Sequence, residues 1–170
     1  MNSNLHKLKR LDYLVTTFFG AGFFPKAPGT FASILGFTLI LFVPYSYKFY
    51  VLSIGIILIV LFSPKMIKQV EAENGNDASI IVIDEILGIF IVFLSPIIPI
   101  TPLSAILGIS LFRFFDIYKP GLIRNLNNKK GAKYVLLDDV FAGIFATILL
   151  HLFYFLYRIV FLLYFLNKFL

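Results

Sequence analysis

The chain is written in apolar blocks separated by short polar punctuation. Five blocks stand out, Phe31 to Val43, Phe49 to Phe62, Ile80 to Leu94, Pro102 to Phe115 and Val140 to Tyr157, and an apolar tail continues to Leu170. Pro, Gly and charged residues mark their ends. Each block predicts a helix in a bilayer, yet most fall short of the ~20 residues that cross a ~30 Å hydrocarbon core comfortably, so their ends must be anchored closely. A further apolar block, Leu11 to Phe24, is broken by Gly20 and Gly22 and stops at Pro25. No small-residue cleavage site precedes Lys26, which argues against a signal peptide. The block is read as an interfacial or re-entrant helix rather than a sixth span.

Composition narrows the class. Of 170 residues, 59% are hydrophobic and 14% charged, against about 25% charged in an ordinary soluble domain; a water-soluble globular fold is excluded. The chain has no Cys, which removes disulfide scaffolds, thiolate metal sites, iron–sulfur clusters and a cysteine nucleophile. Fifteen Lys and Arg against nine Asp and Glu give a net charge of +6. In so apolar a chain this suits anionic lipid head groups, and no basic stripe is present to follow a nucleic-acid backbone. With no internal repeat, low-complexity tract or linker, residues 1–170 are expected to form one domain. Its expected class is an all-α, polytopic integral membrane bundle of four to five transmembrane helices plus the N-terminal helix.

Charge then sets the orientation. If the first two spans form a hairpin and the later ones alternate, Lys7, Lys9, Arg10, Lys26, Lys65, Lys68, Arg113, Lys119, Arg124, Lys129, Lys130 and Lys133 share one side. Only Lys48, Arg158 and Lys168 are left for the other side or the tail. Twelve against three makes the charged side cytoplasmic by the positive-inside rule. All nine acids lie there too, and the opposite turns, Pro44 to Lys48 and Ser95 to Thr101, are too small for a site. The function is therefore expected at the cytoplasmic face.

Four short segments hold most of the unusual polar residues. They are Pro25-Lys26-Ala27-Pro28-Gly29-Thr30; Asp77 with Ile83-Asp84-Glu85 and Gly88; Phe112-Arg113-Phe114-Phe115-Asp116-Ile117-Tyr118-Lys119-Pro120 with Arg124; and Asp138-Asp139-Val140-Phe141-Ala142-Gly143. At ~1.5 Å per helical residue, Thr30 lies about 21 Å from Pro44, Asp84 about 22 Å from Pro99, Asp116 about 21 Å from Pro102 and Asp139 about 28 Å from Arg158. Three helices thus bring a polar group to one depth, which predicts a recessed pocket with the Asp pair at its rim.

Several of these residues have two readings. Thr30 after Pro28-Gly29 fits a helix N-cap with Ser33 at N3, and equally a turn that presents backbone N–H groups and Lys26 to a phosphate. Asp84 and Glu85 interrupt an apolar run, where an uncompensated acid is expensive; pairing with Arg113 or a bound ion would offset it. Arg113 and Asp116, three apart on a helix, also fit a plain intrahelical pair. Lys119 precedes Pro120 and is biased out of the helix, leaving Lys119 and Arg124 on a turn and extended segment able to wrap an anion. Asp138 and Asp139 fit N-caps of the last helix as well as the pocket rim. His151, inside the last span, is read as packed or lipid-facing.

Taken together, carboxylates without Cys or His suit a hard ion, Mg2+ in particular, held with substrate phosphate. Neighbouring cations suit the other phosphate oxygens. The set implies phosphoryl handling on a lipid. Asp84, Glu85, Asp116, Asp138 and Asp139 are the expected metal ligands, Asp84, Glu85, Asp116 and Asp139 the catalytic acids, and Lys26, Gly29, Thr30, Arg113, Lys119 and Arg124 the phosphate-binding groups. Mg2+ there would polarise a phosphomonoester and lower the pKa of water; an aspartyl nucleophile is the alternative. A transporter or ion relay would instead string acids across the membrane, and here they cluster on one side.

The four segments, in this order, resemble the four signatures of the phosphatidylglycerophosphatase A family, and they cover positions 25 to 143. The resemblance implies a bacterial inner-membrane, Mg2+-dependent enzyme that removes the terminal phosphate of phosphatidylglycerophosphate to give phosphatidylglycerol. Asp77 matches an acid the family has shortly before its Asp-Glu pair. The chain departs from the pattern in one loop. It has Gly121-Leu122-Ile123 in place of a Trp-Pro-Ile run, and Lys129-Lys130-Gly131-Ala132-Lys133 in place of a glycine-rich approach to the Asp pair. Other phosphatase routes lack their residues: His-dependent lipid phosphatases need His in the site, and only His6 and His151 exist, while the Asp-x-Asp-x-Thr start of haloacid-dehalogenase phosphatases is missing.

Overall fold

The computed structural model describes residues 10–75, 78–121, 123–124 and 131–169. His6, Lys7, Lys9, Asp77, Leu122, Lys129 and Lys130, all invoked above, lie outside the described residues. The chain runs through α1 (Leu11–Thr16), α2 (Pro28–Leu41), α3 (Lys48–Asn74), α4 (Ile83–Phe93), α5 (Pro102–Tyr118) and α6 (Ala132–Phe169), with 3-10 turns at Ala21–Phe23 and Tyr45–Tyr47. No strand occurs among the described residues, in keeping with the all-α reading.

Helix lengths differ more than the apolar blocks do. The stretches Tyr45–Asn74 and Lys133–Lys168 are long and apolar enough to cross a membrane, whereas Pro28–Leu41 is a shorter apolar helix. With 11 residues α4 is about 16 Å long, and with 38 residues α6 is about 57 Å long, at 1.5 Å per residue.

Several boundaries depart from expectation. The Leu11 to Phe24 block is not one helix: after α1 the backbone turns left-handed at Phe18, Phe19 and Gly20 (φ 46, 56 and 96°) before the 3-10 turn. The N-cap of α2 is Ala27, also left-handed at φ 51° and with no side-chain cap bond, followed by Pro28 in the first turn. Thr30 is therefore inside the helix and is not its cap, and the Ser33 hydroxyl donates to the Gly29 carbonyl at 2.8 Å. Pro at the start of a helix needs no N–H there and arrives with helical φ, so it takes over the role expected of Thr30. α6 starts at Ala132, so Asp138 and Asp139 lie within the helix and do not cap it. A capping box does occur at α5, between Thr101 and Ser104.

The 11-residue helix α4 sits at the centre, packed against α6, α2, α3 and α5. Ile86, Leu87, Ile89, Val92 and Phe93 are all fully or almost fully buried. The approach of α5 to α4 depends on Gly88, where a Cβ would stand 2.2 Å from the Phe112 ring. The missing side chain lets the Phe112 ring lie directly on the α4 backbone. The N-terminal segment fixes the start of α4, because the Val82 N–H donates to the Thr16 carbonyl at 2.8 Å. That bond sets where the first turn of α4, with Asp84 and Glu85, begins.

Candidate active site

Four elements meet at one end of the bundle around a cavity of about 290 Å³. Its walls are Ala27, Pro28 and Gly29 from the start of α2, Ala78, Ser79 and Ile81 from the segment before α4, Asp84 and Glu85, Arg113, Asp116 and Lys119 from the end of α5, and Asp138 and Asp139. The acids of α4 lie in its first turn, where the exposed N–H groups of the helix favour negative charge. Asp84 Oδ1 accepts the Glu85 N–H at 3.1 Å. Asp138 and Asp139, adjacent on α6, are each 3% exposed, and Asp84 is 8% exposed.

Two charge arrangements share this cavity. Asp84, Glu85 and Asp139 each offer a carboxylate oxygen, and these oxygens lie within 4.8 Å of one another. Buried anions this close repel unless a cation is shared among them. Glu85 Oε2 and Asp139 Oδ2 are buried without a hydrogen-bond partner, so coordinating capacity is left over. An all-oxygen donor set with spare lone pairs fits a hard divalent cation such as Mg2+.

The second arrangement is a chain of alternating sign. Arg113 Nη1 lies 2.6 Å from Asp116 Oδ2 and 3.4 Å from Glu85 Oε1. Lys119 Nζ pairs with Asp138 and is 4.0 Å from Asp116 Oδ1. Arg113 and Asp116, three apart, are neighbours on one face of α5, and Lys119 reaches Asp116 and Asp138 from the end of the helix. Lys119 is the C-cap of α5, left-handed at φ 46°, so the helix ends where Pro120 requires. Arg113 Nε is buried and has no partner, a donor still to be used.

The structure thus brings Gly29, Asp84, Glu85, Arg113, Asp116, Lys119, Asp138 and Asp139 together. It does not bring in Lys26, Thr30 or Arg124, which are not among the lining residues. Lys26 and Arg124 are exposed, and Arg124 is helical instead of extended as expected. Gly29 has a steric role: a Cβ there would be 2.0 Å from Glu85 Oε1 and 2.9 Å from Arg113 Nη1. Ala78, Ser79 and Ile81 complete the wall without any chemical signal in their residue types.

A family model described as Phosphatidylglycerophosphatase A matches residues 14–154. The chain belongs to the phosphatidylglycerophosphatase A family. Every residue lining the cavity falls inside the matched span. A Haemophilus influenzae protein named phosphatidylglycerophosphatase A is 35% identical over 154 residues, which are 86% of this chain and 92% of that one. A Bacteroides thetaiotaomicron protein with the provisional name phosphatidylinositol-3-phosphatase is 34% identical over 149 residues, 82% of this chain and 91% of that one. No solved structure matches the chain. Membership of the phosphatidylglycerophosphatase A family makes this chain a lipid phosphatase.

Proposed function

We propose that the protein is a membrane-embedded phosphatidylglycerophosphatase of the bacterial inner membrane, dependent on Mg2+ and working at the cytoplasmic face. The observation that carries the reading is the convergence of three buried carboxylates and two cations in one cavity within a family of lipid phosphatases.

Membrane embedding rests on exposure. The apolar windows of α3 and α6 are only 17% and 22% buried, so they are not core helices of a soluble protein, and their exposed Leu, Ile, Val and Phe side chains call for lipid. The short helices around α4 complete the four to five crossings, with α1 and the turn after it at the interface. The twelve-to-three charge bias turns the carboxylate end to the cytoplasm.

Asp84, Glu85 and Asp139 would hold the Mg2+ ion, which when bound supplies positive charge to the phosphoryl oxygens and acidifies water. Arg113 and Lys119 draw the remaining phosphoryl oxygens into the cavity and offset the charge that shifts onto them as the ester breaks. Gly29 leaves room for the Glu85 carboxylate and the Arg113 guanidinium to lie against the first turn of α2, whose N–H groups have no partner inside the helix and can face the phosphate. In the overall reaction the P–O bond to the glycerol carbon chain breaks, the oxygen of water ends in inorganic phosphate, and a proton ends on the lipid hydroxyl. The acyl chains stay in the bilayer.

The Bacteroides relative motivates a second substrate to test, a phosphoinositide with one monoester phosphate. Purified protein in detergent micelles should release phosphate from phosphatidylglycerophosphate with Mg2+ and stop when the metal is chelated. Release that is indifferent to Mg2+ would overturn the metal reading. Release from phosphatidylinositol 3-phosphate alone would overturn the substrate.

A further inference from the structure

The five acids of the cavity are not equivalent in the structure. Among the described residues, the carboxylate oxygens that converge belong to Asp84, Glu85 and Asp139. Asp116 and Asp138 differ from these in carrying the cations: Asp116 holds Arg113 at 2.6 Å and faces Lys119 at 4.0 Å while also lying against Asp139, and Asp138 pairs directly with Lys119. We propose that Asp116 and Asp138 are positioning residues that hold Arg113 and Lys119 for the substrate's phosphoryl oxygens, and that the ion is left to Asp84, Glu85 and Asp139. The inference rests on the proposed function and divides its site in two.

The geometry of Arg113 shows how positioning works. Its Nη1 is committed to Asp116 and Glu85, while its Nε is buried without a partner. A guanidinium is a rigid planar fork, so anchoring one nitrogen fixes where the others point. Asp116 therefore orients a donor edge that the protein itself does not satisfy. Lys119 carries a flexible four-carbon stem that ordinarily wanders, and here it leaves α5 through a left-handed cap with its ammonium placed between Asp116 and Asp138. Two carboxylates flanking a lysine keep it charged and aimed, at the cost of competing with the phosphate for it.

A metal ligand and a positioning acid respond differently to neutral substitution. Removing a ligand weakens the ion, whereas removing a group that orients a binding residue typically costs about ten- to a hundredfold in what that residue does. In full-length protein in micelles, Asp116→Asn and Asp138→Asn are expected to raise KM for the lipid phosphate about tenfold, and to weaken competitive inhibition by inorganic phosphate to the same degree. The Mg2+ midpoint, read without turnover as the rise in thermal unfolding temperature of the detergent-solubilised protein on Mg2+ titration, should stay where it is in the wild type. Asp139→Asn should move that Mg2+ midpoint upward.

A double-variant cycle adds a readout that a general loss of structure cannot imitate. If Asp138 acts through Lys119, Asp138→Asn changes nothing further once Lys119→Met is present, because interacting residues are non-additive. Should Asp116→Asn not fold, the Asp138 and Lys119 pair carries the decision alone. A shift of the Mg2+ midpoint in Asp138→Asn equal to that in Asp139→Asn would overturn the division while leaving the metal-dependent reading intact. A wild type with no Mg2+ dependence would instead sink that reading.

Discussion

The two ends of the bundle treat buried polar groups in opposite ways. At the end of α4 away from the cavity, Lys48 is 1% exposed, yet its ammonium donates to the Ser95 carbonyl at 2.8 Å and the Ile98 carbonyl at 3.2 Å. The Tyr45 hydroxyl donates to the Pro96 carbonyl. His151 is bonded through both ring nitrogens, to Ser95 Oγ and to the Thr147 carbonyl, each at 2.8 Å. At the cavity end, Glu85 Oε2, Arg113 Nε and Asp139 Oδ2 are buried and unpartnered; of such side-chain atoms among the described residues, only Ser63 Oγ lies elsewhere. Since an unmet buried polar group costs about 1–3 kcal/mol, a fold that satisfies one end fully and leaves the other unmet has kept the second for something not in the chain. The satisfied end holds the helices; the unsatisfied end is where a ligand belongs.

The sharpest way to break this contrast is to neutralise an unmet acid. Asp139→Asn should lower phosphate release about a thousandfold, because the interaction removed is worth several kcal/mol in the transition state. Thermal unfolding in detergent should nevertheless be unchanged or move upward, since a buried like-charge repulsion is relieved. A variant that lost stability in step with activity would show that Asp139 supports the fold instead of the chemistry.

Lys48→Met should do the reverse. Two carbonyls at the turn after α4 lose their donor, so stability should fall by about 1–3 kcal/mol, seen as an earlier unfolding transition. Turnover per folded molecule should stay within about twofold of the wild type, because Asp84 and Ser95 are separated by about 16 Å of helix. Loss of turnover without loss of stability would mean that the two ends are coupled through α4.

The cavity end was largely legible because its residues are chemically improbable where they stand. Asp84-Glu85 in an isoleucine run, Arg113 and Asp116 at the end of an aromatic helix and the Asp138-Asp139 pair each violate their apolar surroundings, and a shared depth estimate sufficed to join them. What escaped was rotational and conformational. Lys26, Thr30 and Arg124 stand beside the cavity residues in the chain but not on the cavity wall, and linear spacing carries no information about which way a side chain faces. The early start of α6 was hidden because the approach to Asp138 reads as a basic loop, and helices take their boundaries from tertiary packing as much as from composition. Which of the five acids converge on one another and which pair with Arg113 and Lys119 depends on distances between α4, α5 and α6, which no local pattern encodes. At the opposite end the Ser95 to Thr101 turn was read only as too small for a site, and its structural part, as the place where Lys48, Tyr45 and His151 find partners, had no signal in the sequence.

His151 offers the smallest expected effect and the finest test. With Ser95 at 2.8 Å it has the spacing of a nucleophile and its base. The pairing is nonetheless structural in its details. A backbone carbonyl can only accept, so Nδ1 carries the proton toward Thr147 and Nε2 receives the Ser95 hydroxyl; no carboxylate orients the ring, and Ser95 Oγ also accepts the Ile97 N–H at 3.2 Å. The ring lies about 18 Å along α6 from Asp139, at the end where polar groups are already satisfied. His151→Leu should therefore cost about 1 kcal/mol of stability and leave phosphate release unchanged. A collapse of activity in that variant, with unfolding unaltered, would place chemistry at the satisfied end and undo the contrast on which the site was located.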